Sequence, residues 1–225
     1  MLTIFVQKRW FAISKIIVPF DERETVEKLG AIKLKNCYYS VPSTSNIQDF
    51  SRWHRLPLNH VIDGEDRLFG KNHLYVDLIP SSSWYTNVRE YVDAVDWERI
   101  KEMCKIRTGY KCEICKTSPN FSENNYLECH ERFLYDKDAK SQKLVRFICV
   151  CTKCHQVIHF GLAQIQGQVE EARAHLMEVN KWDAKRASEH IANRFRLWEI
   201  KSEMAWELDL SMLKNIDLPS FNLSE

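Results

Sequence analysis

The chain has 225 residues, 44% of them apolar and 28% charged, with six glycines and six prolines. That length suits one or two cores, and that composition excludes collagen, low complexity and disorder. The formal net charge of +1 excludes the strongly basic balance by which many nucleic-acid binders declare themselves. Two local runs are more basic: Arg99 to Lys116 carries six Lys/Arg against two Glu, and Lys137 to Lys153 five against one Asp. They read equally as a solvated helix face with an exposed hairpin or as a phosphate-facing surface that uses Arg107, Lys143, Arg146 and Lys153.

No apolar run approaches the roughly 18 residues that cross a bilayer, and the opening stretch is broken by Gln7, Lys8, Arg9 and Lys15. Neither a signal peptide nor a membrane span is expected, and a cytoplasmic location is. From the start to about residue 60 the chain reads as a small α+β domain. Ile16-Ile17-Val18 before Pro19 is strand-like, 21–29 with its early acids and Gly30 stop is a short helix, and 37–41 is a second strand ended by Pro42. Val18-Pro19-Phe20, Lys28-Leu29-Gly30-Ala31, Tyr38-Tyr39 with Val41-Pro42, and Phe50-Ser51-Arg52-Trp53 make this segment resemble a small accessory domain of unknown biochemical role. Such domains are appended to plasmid primases, helicases and other DNA-processing proteins, which implies a route to a substrate or a protein partner. Packing is the expected role of its aromatic strand, with base stacking by Tyr38 or Tyr39 as the alternative.

Residues 61–73, with Gly64, Gly70 and several charges, read as a linker to a second domain over 74–225. There 74–79 looks like a strand ended by Pro80. Asp96 is a candidate cap for a helix on which Trp97, Ile100, Met103 and Cys104 recur, so Cys104 reads as core and not as a ligand. Farther on, Val169, Ala172, Leu176 and Val179 mark one amphipathic helix. Asp183 caps another, whose stripe is Ala187, Ile191, Phe195 and Trp198. Trp206, Leu208 and Leu210 alternate as in a half-buried strand, for which 74–79 is the suggested partner. Cys37 reads as buried, and His175 and His190 show no partner in sequence.

Eight cysteines in a chain with no visible leader favour metal over disulfides, because four of them form two C-x-x-C pairs. Cys112, Cys115, Cys151 and Cys154 offer four thiolates in the spacing that tetrahedral structural zinc prefers. Between and after these knuckles come Leu127-Glu128-Cys129-His130-Glu131 and Cys154-His155 with His159 four residues on. His155 and His159, at i and i+4, share a helical face and can reach one divalent ion.

This order of a knuckle, an acid-rich strand ending in His, and C-x-x-C-H-x-x-x-H resembles the HNH nucleases of the ββα-metal fold. The resemblance implies an α+β protein with a zinc-stapled ββα core and C-terminal helices, acting as a metal-dependent endonuclease on nucleic acid, DNA above all. His130 would be the general base. His155, His159 and the preceding residue, Cys129, would hold a second ion: Mg, Mn, Ni or Zn. Families that cut DNA usually carry Asp or His where Cys129 stands. Either the second metal is zinc-like, or Glu128, Glu131 or Asp136 substitutes, or the site has lost its metal. The Asn that orients the base falls near Arg146, which cannot accept from an imidazole N–H and is read instead as a phosphate clamp.

Over residues 75–213 the chain also resembles a narrower bacterial HNH-endonuclease-like family. The resemblance rests on Leu78-Ile79-Pro80, Trp84-Tyr85-x-Asn87-Val88-Arg89, Tyr135-Asp136, Gln142-Lys143-Leu144, Gly161-Leu162-Ala163, Val179-Asn180-x-Trp182 and Trp206-x-Leu208-Asp209-Leu210, together with the motifs above. An inactive zinc module that adapts nucleic acid or protein is the rival reading. A thiol enzyme using Cys129 beside His130 is disfavoured, because neighbours on a strand face opposite ways.

Overall fold

The structure is a computed structural model that describes residues 14–55, 58–84 and 87–221. The opening residues read for a leader, and Tyr85, lie outside them. The chain forms two compact units, Met1–Pro57 and Leu58–Glu225, in a mixed α+β fold.

In the first unit β1 (Ser14–Ile17) and β2 (Ile32–Lys33) flank β3 (Tyr38–Val41), each antiparallel to it. The helix α1 (Arg23–Lys28) bridges β1 and β2, carries a Glu24–Lys28 ion pair at 2.7 Å on its exposed side, and ends before Gly30, whose φ of 93° an L side chain rarely adopts. Tyr39 is fully buried and donates its hydroxyl to Glu27 at 2.8 Å, and the ammonium of Lys15 lies 4.1 Å from the centre of the Tyr38 ring. Cys37 is buried.

The second unit is built on a long hairpin. β4 (Leu127–Asp136) and β5 (Ser141–Cys151) pair antiparallel with an irregularity between Arg132 and Phe133, and β5 is buried along most of its length. α2 (Ala94–Arg107) packs against both strands. Its cap is Asp93, which accepts from the Asp96 N–H at 2.8 Å; Asp96 sits inside the first turn instead, buried against Arg99 at 2.8 Å and bonded to Ser220. After the hairpin come α3 (Thr152–Ile158), α4 (Phe160–Ile165), α5 (Val169–Asn180) and α6 (Ala184–Ser202), the last capped by Asp183 as its sequence indicates. β6 (Glu207–Asp209) then adds to the sheet.

Two expectations fail here for one reason. Residues 74–79 form no strand. Their backbone is satisfied by side chains of the late helices: Val76 N–H donates to His190 Nε2 at 3.1 Å, and Asn180 donates to Leu74 O at 2.8 Å. β6 therefore pairs not with them but in parallel with Ser141–Lys143 of β5.

Residues 61–73 are no linker either, because they are a strap built into the second unit. Leu58 and Ile62 are core residues, and Glu65 forms a buried ion pair with Arg107 at 2.8 Å and accepts from Phe147 N–H at 2.9 Å. The Phe69 and Lys71 carbonyls each accept from both Arg132 and Arg146. Between those carbonyls Gly70 has φ 65°, and a Cβ there would stand 2.3 Å from Arg132 Nη1.

Candidate metal centre

The four knuckle cysteines meet at the foot of the hairpin. Cys112 and Cys115 lie on a tight turn held by Lys116 N–H to Cys112 O and docked on β5 by Glu113 N–H to Cys149 O at 2.8 Å. Cys151 ends β5 and stands as the N-cap of α3, and Cys154 follows in its first turn. The four sulfurs lie within 4.8 Å of one another, with Cys115 to Cys151 at 3.6 Å. Zinc–sulfur bonds of about 2.3 Å in a tetrahedron put sulfurs about 3.8 Å apart, so this donor set fits zinc. Hydrogen bonds from Cys112, Cys151 and Cys154 push the Cys115 thiol down, while the same crowding raises Cys154. His175 adds a contact that its sequence position does not advertise: Nε2 lies 3.3 Å from Cys154 Sγ.

A second cluster stands one turn away. His155 lies on α3 directly after Cys154, and His159 follows where α3 passes into α4, its N–H bonded to His155 O at 2.9 Å. His130 comes from β4. The ring centroids are 4.5 Å apart for His155 and His159, 4.9 Å for His130 and His159, and 5.3 Å for His130 and His155. One nitrogen from each ring lies within 4.8 Å of the others, so the three could hold one metal ion. Burial first, and the neighbouring imidazoles second, push His130 well down and His159 down to about 3, which keeps both rings neutral and able to donate a lone pair. His155 Nδ1 lies 2.9 Å from Glu128 Oε2. Burial would raise Glu128, but the bond and charge of His155, the Thr152 hydroxyl and the charge of His159 together outweigh it and lower the carboxyl.

The remaining candidates lie elsewhere. Cys129 faces away from the trio, as strand alternation requires, and its sulfur lies 3.0 Å from Cys104 in the core, where burial raises its thiol. Arg146 is buried, bonded to Glu113 at 2.9 Å, to Asn72 and to the strap carbonyls, so it clamps backbone and carboxylate and has no face left for phosphate. Arg107 is likewise occupied by Glu65 and Phe147 O. Lys153 lies 3.3 Å from Glu123 and Lys143 3.8 Å from Asp209, both on the surface and neither lining the trio's pocket. Asp136 is spent on the hairpin turn, accepting from Asp138 and Ala139.

Of the other residues in the pocket around the trio, the sequence offers Glu131 as a substitute ligand and holds Asn87 and Arg89 only as part of a matching stretch. Arg89 and Asn87 line it, with Glu131 and Asp77. Arg89 is exposed, its guanidinium 5.1 Å from the Trp97 ring centre, and its backbone N–H is held by Asn87 Oδ1 at 2.9 Å. Glu131 is half-buried, and burial raises its carboxyl. Asp77 is paired with Arg194 at 2.9 Å. Because β4 is an edge strand, a pocket on its rim is reached by residues from both of its faces, which is why adjacent His130 and Glu131 can both line it. Comparison of the chain with family models, with curated proteins and with solved structures gave no match.

Proposed function

We propose that the second unit is a metal-dependent hydrolase of phosphodiester bonds in nucleic acid, of the HNH type, with β4, β5 and α3 as its ββα element and the cysteine cluster as its structural zinc site. The observation that carries this reading is the convergence of three imidazoles, one backed by a carboxylate, beside an exposed guanidinium in a single pocket. His130, His155 and His159 would hold the ion, which supplies Lewis-acid polarisation of a phosphoryl oxygen. Three imidazoles suit Zn, Ni or Mn better than Mg, which prefers oxygen ligands.

In this arrangement His130 serves as the third donor, and the role of proton acceptor passes to Glu131, since Asp77 is engaged by Arg194 and Glu128 by His155. Arg89 holds the scissile phosphate by charge-assisted hydrogen bonds. The oxygen of an attacking water bonds to phosphorus as its proton passes to a Glu131 carboxylate oxygen. The bond to the leaving oxygen then breaks, and that oxygen takes a proton from solvent. The first unit would bring a substrate or a protein partner to this site in the cytoplasm.

The adaptor reading is favoured by one observation, that the side chains of Arg107 and Arg146 are both buried and leave the surface less basic than the sequence suggests. A panel of plasmid, single-stranded DNA and RNA with Mg²⁺, Mn²⁺, Ni²⁺ and Zn²⁺, each with a chelator control, separates the two. Wild type should cut and bind two metal equivalents. His159→Ala should keep one equivalent and stop cutting. Glu131→Gln should keep both and lose about 10²-fold or more in rate. If wild type cuts nothing under any metal, the nuclease reading is wrong and the adaptor stands.

A further inference from the structure

The pocket of the trio opens into a larger depression of about 730 Å³, and His159, Leu78, Ile79 and Trp84 line both. Its far wall is Phe195 and Trp198 on α6. Trp198 is fixed, its indole N–H donating to Ile79 O at 2.9 Å, and the Phe195 ring meets it edge-on at 6.4 Å. At the rim Trp84 is 59% exposed and Ile165 on α4 77% exposed. Among the described residues no Asp, Glu, Lys or Arg lines the depression, and its polar side chains besides His159 and the two indoles are Ser81 and Gln164.

These features limit what can enter. Among the described residues a phosphate finds no cation there, so the depression favours an uncharged group over the sugar-phosphate backbone. An occupant reaching in from the trio must carry a flat apolar face for the aromatic walls and a polar edge for an amide and a hydroxyl. The volume is that of a small-molecule cleft, which usually spans about 300–1,000 Å³. We propose that this depression receives one unpaired nucleobase of the strand whose phosphate lies at the trio, so that the substrate is single-stranded or locally unpaired nucleic acid. The proposal rests on the nuclease reading for its strand. In a duplex the base is stacked and paired, and it must leave the helix before it can stack on Trp84.

The test uses the zinc-loaded full chain and intrinsic tryptophan fluorescence. A short single-stranded oligonucleotide should quench and the matching duplex should not. An abasic residue at one position should weaken binding on the order of tenfold, as the loss of one stacked base does. Trp84→Ala should weaken the intact strand by the same factor and leave the abasic strand unaffected, and Ile165→Glu should weaken the intact strand as well. Equal binding of duplex and single strand, or an equal effect of Trp84→Ala on intact and abasic strands, overturns the proposal. So does binding of a hydrophobic dye that the oligonucleotide does not displace, which marks a face for protein. Base-dependent binding without cleavage under any metal keeps the base site and removes the nuclease reading, whereas cleavage of duplex with Trp84→Ala as active as wild type does the reverse.

Discussion

Glu128 acts through His155. With a carboxylate 2.9 Å from Nδ1, that nitrogen carries the ring proton, and Nε2 is left bare for a metal. Such partners usually set metal affinity by about 10- to 100-fold. Glu128→Ala should therefore weaken the second metal equivalent by that factor while the cysteine site keeps its zinc, as equilibrium dialysis against a competing chelator would read. Gly70 shows the same economy in the backbone. Its positive φ and the Arg132 guanidinium at its α-carbon leave no room for a methyl group, so Gly70→Ala should cost about 1–3 kcal/mol in denaturant unfolding. An unchanged midpoint would mean that the strap can move aside.

Helices α3 and α6 were legible, and the segment before α2 was not. Capping by Asp183, the i, i+4 histidines and the paired cysteines are local signals that the next few residues can satisfy. Residues 74–79 look like a strand because Leu74, Val76 and Leu78 alternate, yet the partners of that backbone, His190, Asn180 and Arg194, lie more than a hundred residues away. Non-local contact also hid the role of Arg89, which gains meaning only once β4 presents its edge, and it disguised Arg146, whose partners are Glu113 and the strap. The trio on α3 and β4 also gives the fold an acid limit. The folded chain resists protonation at His130 and His159, whereas the unfolded chain accepts it near the ordinary histidine pKa of about 6.5. Below that value the unfolded state binds more protons, so stability should fall as pH drops, for His159 down to about 3, by at most about 1.4 kcal/mol per pH unit for each histidine. Melting of the zinc-loaded protein, with no second metal added, should drop between about pH 7 and pH 5.5 while zinc stays bound. His159→Gln should flatten that drop.

At the scale of the molecule the strap decides where the second unit begins. A fragment starting at residue 58 keeps Glu65 and the Phe69 and Lys71 carbonyls, whereas one starting at 74 leaves Arg107 without its carboxylate and Arg132 without the two strap carbonyls. Removing one partner of a buried charged pair costs about 3–5 kcal/mol, a large share of the ~5–15 kcal/mol that holds a domain together. The 58–225 fragment should express as a cooperative, zinc-containing protein, and the 74–225 fragment should be insoluble or molten by near-UV circular dichroism. Equal melting of the two would show that the strap contributes nothing.

Cys151 caps α3, Cys154 sits in its first turn, and His155 comes next in the chain. An ion held by the four thiolates would thus fix the start of the helix that carries His155 and leads into His159, and ligands that are not yet aimed bind weakly. Filling should then be hierarchical. In a cobalt titration of metal-stripped protein, the thiolate charge-transfer band should saturate before any imidazole-bound species appears. As zinc runs short in a cell, the imidazole site would accordingly empty first, and the fold held by the thiolates would outlast the activity.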